Sequence, residues 1–215
     1  MSNINEDYII SYINELTPQS SLFLRSLEDY AKGNNVPIVQ PEVGQFLRTL
    51  IKIHKPKSIL EVGTAIGYSA ILMAECLEDD FQIVTLEKNQ DVVPLALENI
   101  KTAGFEEKIK VIPGDALDTF PHIAKKFDFV FLDASKGHYM EFFEYASKLL
   151  NPGGLIVSDN VLYKGMVAED GLVKRRKRTI VNRLREYLIY INNLNGYTTS
   201  VIPMGDGVAV TYKED

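Results

Sequence analysis

The sequence predicts an α/β protein: a mostly parallel, doubly wound sheet that ends in an antiparallel hairpin. Three observations carry that expectation. From about residue 56, short apolar runs alternate with stretches of helical length, the pattern of βαβ units whose sheet is covered on both faces. Runs such as Phe127–Leu132 read as buried strands. Near the end of the chain, Thr198–Ile202 and Gly207–Tyr212 flank the turn-rich joint Pro203-Met204-Gly205-Asp206-Gly207, which reads as a hairpin.

The elements follow in order. Glu6–Leu16 places Tyr8, Ile9, Tyr12, Ile13 and Leu16 on one helical face. Leu22–Lys32 is a second helix, stopped by Gly33-Asn34-Asn35. Val36–Pro41 is extended, because residues before proline avoid the helical region. The strands are Ser58–Val62, Gln82–Glu87, Ile109–Ile112, Phe127–Leu132 and Gly154–Ser158, with helices at Ser69–Leu77, Gln90–Ala103 and Tyr139–Leu150. No repeat or linker divides the 215 residues, so one domain is expected, with residues 1–35 capping a core of residues 36–215.

Composition is ordinary for a globular protein, at 46% hydrophobic and 24% charged residues. The start carries Glu6 and Asp7 and no basic stretch before an apolar one, so no secretory leader is expected. No apolar run is long enough to span a bilayer, so no membrane partner is expected. Cys76 is the single cysteine, which excludes an intrachain disulfide and suits a reducing cytoplasm. Its place in a helix reads as a buried, inert thiol. The net charge of −6 is uneven: residues 174–185 carry +7 and no acid, leaving −13 for the rest. One concentrated basic patch on an acidic protein raises the question of a polyanionic partner; a solvated helix face is the plain alternative.

Glu61-Val62-Gly63-Thr64-Ala65-Ile66-Gly67 follows the first strand and opens a helix, where doubly wound folds bind nucleotides. Ala65 stands where the dinucleotide fingerprint has its second glycine, which disfavours a dehydrogenase, and no Gly-Lys-Ser/Thr follows, which excludes a P-loop. Glu61 would repel a pyrophosphate but suits a cationic group. S-adenosylmethionine (SAM), with its sulfonium and α-ammonium, fits. Glu87 ends the next strand, where an acid grips a ribose diol, and Gly114-Asp115-Ala116 ends the following one, where it flanks an adenine. A tight turn at the glycines and a helix cap at Glu87 remain the alternatives.

Asp133 and Asp159-Asn160 each lie just past a buried strand. Two carboxylates and an amide oxygen are hard ligands that suit Mg²⁺. A helix N-cap and a polar turn are the structural alternatives. A substrate with two adjacent oxygens would chelate such an ion, and Lys136, three residues after Asp133, is placed to take the hydroxyl proton. His138 is an alternative base; His54 and His122 read as surface residues.

These motifs, with Phe131-Leu132-Asp133-Ala134-Ser135-Lys136, Ser158-Asp159-Asn160-Val161-Leu162 and Gly205-Asp206-Gly207, resemble the metal-dependent class I SAM O-methyltransferases, the group of catechol and caffeoyl-CoA O-methyltransferases. The resemblance runs from about Val36 to the end of the chain. It implies a seven-stranded Rossmann-like sheet. It implies Asp133, Asp159 and Asn160 as ligands of Mg²⁺ or Mn²⁺ and Lys136 as catalytic base, with Asp133 also at the reacting centre. It implies Glu87 on the ribose, with Val39, Glu61, Gly63, Ser69, Asp115, Ala116 and Asp133 around the rest of SAM, and a homodimer. Within the family the chain is similar to the branch that methylates 5-hydroxyuridine in the anticodon loop of bacterial tRNA, giving 5-methoxyuridine. Lys174, Arg175, Arg176, Lys177 and Arg178 are then the expected contacts to RNA phosphates. Tyr163 would stack on a base or simply pack. The other acceptor class is small catechol-like phenols.

Overall fold

The central strands bury neighbouring residues on both faces and so demand cover on both sides, which the chain supplies. The computed structural model describes residues 4–78 and 80–214; the outermost residues of the expected 1–215 domain, and Asp79, lie outside them. The strands are β1 Ser58–Val62, β2 Gln82–Glu87, β3 Ile109–Pro113, β4 Phe127–Leu132, β5 Leu150–Ser158, β6 Tyr197–Ile202 and β7 Val208–Lys213. They form one sheet of order β3-β2-β1-β4-β5-β7-β6. β1 to β5 pair in parallel, and β7 runs antiparallel between β5 and β6.

Side chains alternate between two cores. Ile59, Phe129 and Phe131 point to one face and Leu60, Val130 and Leu132 to the other. The first face is covered by α2 Leu22–Asn34, α3 Pro41–His54 and α4 Tyr68–Ala74, through Leu24, Leu47, Ile51 and Ile71. The second is covered by α7 Tyr139–Leu149 and α8 Arg178–Asn192, through Phe143, Leu184 and Tyr187. α5 Val93–Thr102 and the short α6 Ala116–Thr119 follow β2 and β3.

Three elements differ from expectation. α3 was not foreseen, although Pro41 stands in its first turn, where proline's missing N–H costs nothing, and Val43, Leu47 and Ile51 recur on its buried face. β5 starts at Leu150 rather than Gly154, because a register shift between Phe127 and Phe129 absorbs the Pro152-Gly153-Gly154 kink. The first helix, α1 Asp7–Leu16, does not cap the sheet: it buries no residue, and Tyr8, Tyr12 and Leu16 are 72%, 62% and 65% exposed. The capping falls to α2, whose Leu24, Leu27 and Ala31 are buried. Among the described residues no helix is long and apolar enough to cross a membrane.

Candidate active site

The strand order reverses between β1 and β4, and at that switch point the carboxyl ends of the strands open into a crevice. The sheet's hydrogen bonding continues one residue past each strand. Gly63 donates to the Leu86 carbonyl (3.0 Å), Gly114 to Glu87 (2.8 Å), Asp133 to Val62 (3.0 Å) and Asp159 to Leu132 (3.0 Å). Backbone geometry therefore sets these four residues side by side. They border a cavity of about 570 Å³ whose walls include Val39, Gly63, Ser69, Glu87, Asp115, Ala116, Asp133, Lys136, Asp159 and Asn160. That is a typical volume for a small-molecule site.

The glycine loop earns its composition. Gly63 has φ +106°, and a Cβ there would collide with the Asp133 carbonyl, so the loop and the Asp133 strand end are in direct backbone contact. Ala65 also takes a left-handed φ of 45°, and its N–H donates to Glu87 Oε2 (2.8 Å). Glu87 Oε1 accepts from Asn89 N–H (2.7 Å). Glu87 thus ties loop to turn and still lines the cavity, since a carboxylate has acceptor capacity beyond two bonds. Asp115 caps α6 by accepting from Leu117 N–H (3.0 Å) and pairs with Lys88 at 2.7 Å, a bond that holds its carboxyl below the usual range.

Glu61 departs from expectation. It is absent from the cavity wall and fully buried beneath it, accepting from the Ser69 and Thr85 hydroxyls at 2.5 Å each. Burial pushes its carboxyl up to about 7, against those two hydrogen bonds. Its charge does not face the cavity; it positions Ser69, which does.

Asp133, Asp159 and Asn160 meet in the same cavity. Neither carboxylate is in an ion pair among the described residues. Burial, then the charge of Asp133, pushes Asp159 up to about 8; burial also raises Asp133, opposed by Lys136. Two buried carboxylates at one site resist being ionised together, and a divalent cation between them would remove that cost. Among the described residues no three His, Cys, Asp or Glu side chains gather as a metal cluster. The donor set is two aspartates and an asparagine amide, all hard oxygens, and it fits Mg²⁺ or Mn²⁺.

The sequence did not reveal what braces this triad. Tyr139, fully buried, donates its hydroxyl toward both Asp159 O (2.8 Å) and Leu132 O (3.2 Å), locking the two strand ends together. The Gly205–Gly207 turn supports the other side: Val161 N–H donates to Gly207 O (2.9 Å), Leu162 N–H to Asp206 O (3.0 Å), and Lys164 N–H to the Asp206 carboxylate. Asn160 itself has φ +57°, a conformation asparagine tolerates. No single-residue pattern marks Tyr139 as a brace; it looks like any apolar-face residue of α7.

His138 lines the cavity beside Lys136, so both candidate bases are present. His54 is not a plain surface residue: its Nε2 lies 2.9 Å from Asp128 O. His122 is exposed, as expected. Cys76 is half-buried, and burial raises its thiol, in keeping with an inert role.

In the basic run, Lys174, Arg175, Arg176 and Arg178 are exposed. Lys177 sits with Nζ 5.6 Å from the Tyr163 ring centroid, and Tyr163 packs partly buried against the second core, outside the cavity wall. Arg183 and Arg185 are tethers rather than free cations. Arg183 donates to Gly137 O (2.9 Å), and Arg185 donates to Val167 O (2.9 Å) and pairs with Asp170 at 2.7 Å. Through Arg183 the start of α8 is tied to the loop that carries Lys136, at the rim of the cavity.

A doubly wound sheet with a switch-point cavity, a glycine loop and an acid at the end of β2 is the frame of a nucleotide-type cofactor site, and the comparisons give the class as a SAM-dependent methyltransferase. The family model described as O-methyltransferase matches residues 17–214. The chain is 38% identical over 176 residues to a catechol O-methyltransferase of Niastella koreensis, covering 79% of this chain and 80% of that one. It is 30% identical over 223 residues to the caffeoyl-CoA O-methyltransferase of Petroselinum crispum, covering 97% and 92%. An O-methyltransferase from Bacillus cereus solved with S-adenosylhomocysteine (SAH) superposes with a TM-score of 0.85 at 28% identity, covering 96% of this chain and 97% of that one. The chain belongs to the O-methyltransferase family.

Proposed function

We propose that this chain transfers the SAM methyl group to one oxygen of an adjacent oxygen pair, with a divalent cation held by Asp133, Asp159 and Asn160. The observation that carries this reading is the convergence of those three oxygen donors in the cavity lined by the glycine loop and Glu87. When bound, the cation would favour the deprotonated acceptor oxygen and fix its orientation. Gly63, Ser69, Glu87 and Asp115 orient the cofactor. Lys136 Nζ takes the acceptor's hydroxyl proton, the oxygen gains the methyl, and the sulfonium becomes a neutral thioether.

The acceptor favoured by the named relatives is a catechol-type phenol. A second acceptor, 5-hydroxyuridine in a tRNA anticodon loop, has one observation on its side: exposed cations Lys174, Arg175, Arg176 and Arg178 at the entry to α8, whose Arg183 is bonded to the loop that carries Lys136. That base also presents two adjacent oxygens, and loops offer unstacked bases. The test is methyl-labelled SAM with catechol or with tRNA containing 5-hydroxyuridine, each with and without EDTA. EDTA-sensitive label in catechol alone establishes the first acceptor. Label in tRNA, mapping to 5-methoxyuridine, establishes the second. EDTA-resistant transfer overturns the metal assignment. The homodimer is likewise proposed, and light scattering on the pure chain checks it.

A further inference from the structure

A second cavity, of about 230 Å³, lies on the far side of Tyr68 from the catalytic crevice. It is framed by the α1–α2 connection and by α2, α3 and α4, with Asn14, Arg25, Glu28, Arg48 and Tyr68 in its wall. Tyr68 belongs to both cavities and separates them.

The polar groups of this wall are unevenly satisfied. Glu28 Oε1 is occupied, accepting from the Tyr68 hydroxyl (2.6 Å) and the Ser20 hydroxyl (2.8 Å). Arg48 Nη1 lies 3.6 Å from Glu75 Oε2, and Arg25 Nη1 donates to Gln19 Oε1 (3.0 Å). Three buried atoms of the same wall have no protein partner: Arg25 Nε, Arg48 Nη2 and Asn14 Oδ1. Two come from guanidinium groups, whose N–H donors are costly to leave unpaired and match oxyanions geometrically. Of the four such atoms among the described residues, three belong to residues that line this one cavity.

We infer that this cavity is a binding site for a small oxyanion of the phosphate class, free or as a monoester. Its oxygens would accept from the guanidinium groups of Arg25 and Arg48, with the Asn14 amide beside them. The site is separate from the methyl-transfer chemistry and does not rest on the acceptor assigned above.

The experiment is thermal unfolding of the full chain with SAH saturating the catalytic crevice, EDTA present and ionic strength matched with chloride. Inorganic phosphate and glycerol phosphate are titrated separately. At a hundredfold excess over Kd, the wild-type midpoint should rise by roughly 5–10 °C. The rise should vanish in Arg25→Gln and in Arg48→Met. Arg48 also faces Glu75, so if Arg48→Met fails to fold, Arg25→Gln carries the test. The anion giving the larger shift identifies the source. No shift with either anion, or an equal shift in Arg25→Gln, overturns the assignment.

Discussion

Gly63→Ala perturbs the glycine loop and the Asp133 strand end together. A Cβ at residue 63 falls 2.9 Å from the Asp133 carbonyl carbon and closer still to its oxygen. Both are backbone atoms at the end of β4, so no side chain can rotate away. Relief needs a shift on the order of 1 Å between the ends of β1 and β4. The left-handed φ of +106° adds about 1–2 kcal/mol for any residue with a Cβ, and overpacking adds about 1–3 kcal/mol. The sum, about 2–5 kcal/mol, lowers the midpoint by roughly 10 °C in a domain of this size. A displacement of that order at the reacting centre costs about a hundredfold in rate. Gly33→Ala is the control. Gly33 lies within α2 with nothing within 4 Å of an added Cβ, and that variant should gain about 0.5–1 kcal/mol. The assays are differential scanning calorimetry, SAH titration calorimetry and methyl transfer. A Gly63→Ala protein that melts with the wild type and binds SAH within threefold would refute the argument.

Four further outcomes are expected. In EDTA, the raised carboxyl of Asp159, at about 8, means the folded state holds a proton that the unfolded state releases near 4. Wild-type stability should therefore fall as pH rises from about 4 to 8, Asp159→Asn should flatten that fall, and Mg²⁺ should restore stability to the wild type only. Glu61, at about 7, adds a second loss between about 4.5 and 7; Glu61→Gln should remove it in chemical denaturation across pH, and equal slopes for the two proteins would contradict the burial argument. Lys136→Met should lower kcat by about 10²–10⁴ while SAH affinity stays within threefold, as titration calorimetry and steady-state kinetics will show. Replacing Lys174, Arg175 and Arg176 by alanine should leave catechol methylation within about twofold; if tRNA is the acceptor, the same variant should bind it more weakly and with a salt slope flatter by about 2–3.

Much of the fold and part of the site were legible in the chain, because their causes are local. Short runs as apolar and aromatic as Phe127–Leu132, bounded by polar stretches, read as strands covered on both faces. The residue just past each strand, Gly63, Asp133 or Asp159, inherits its position from the strand itself. The helical stripe of α1 was equally plain, yet what covers a stripe depends on neighbours, and here no core forms over Tyr8 or Tyr12. α3 has an ordinary start signal in Pro41 but follows an extended proline-flanked stretch that masks it.

What the sequence by itself determined is the α/β architecture, the row of strand-end residues and the oxygen-rich chemistry of Asp133, Asp159 and Asn160. Tertiary structure alone decided that the Glu61 carboxylate is buried beneath the crevice rather than facing it, and that Tyr139 holds the two aspartate-bearing strand ends together. It alone separated the tethered Arg183 and Arg185 from their exposed neighbours, and it alone gathered Arg25, Arg48 and Asn14 around a second cavity. The physical reason is common to all four. Periodicity along the chain reports which face a side chain takes, whereas burial, hydrogen-bond partners and pKa are set by groups far away in sequence.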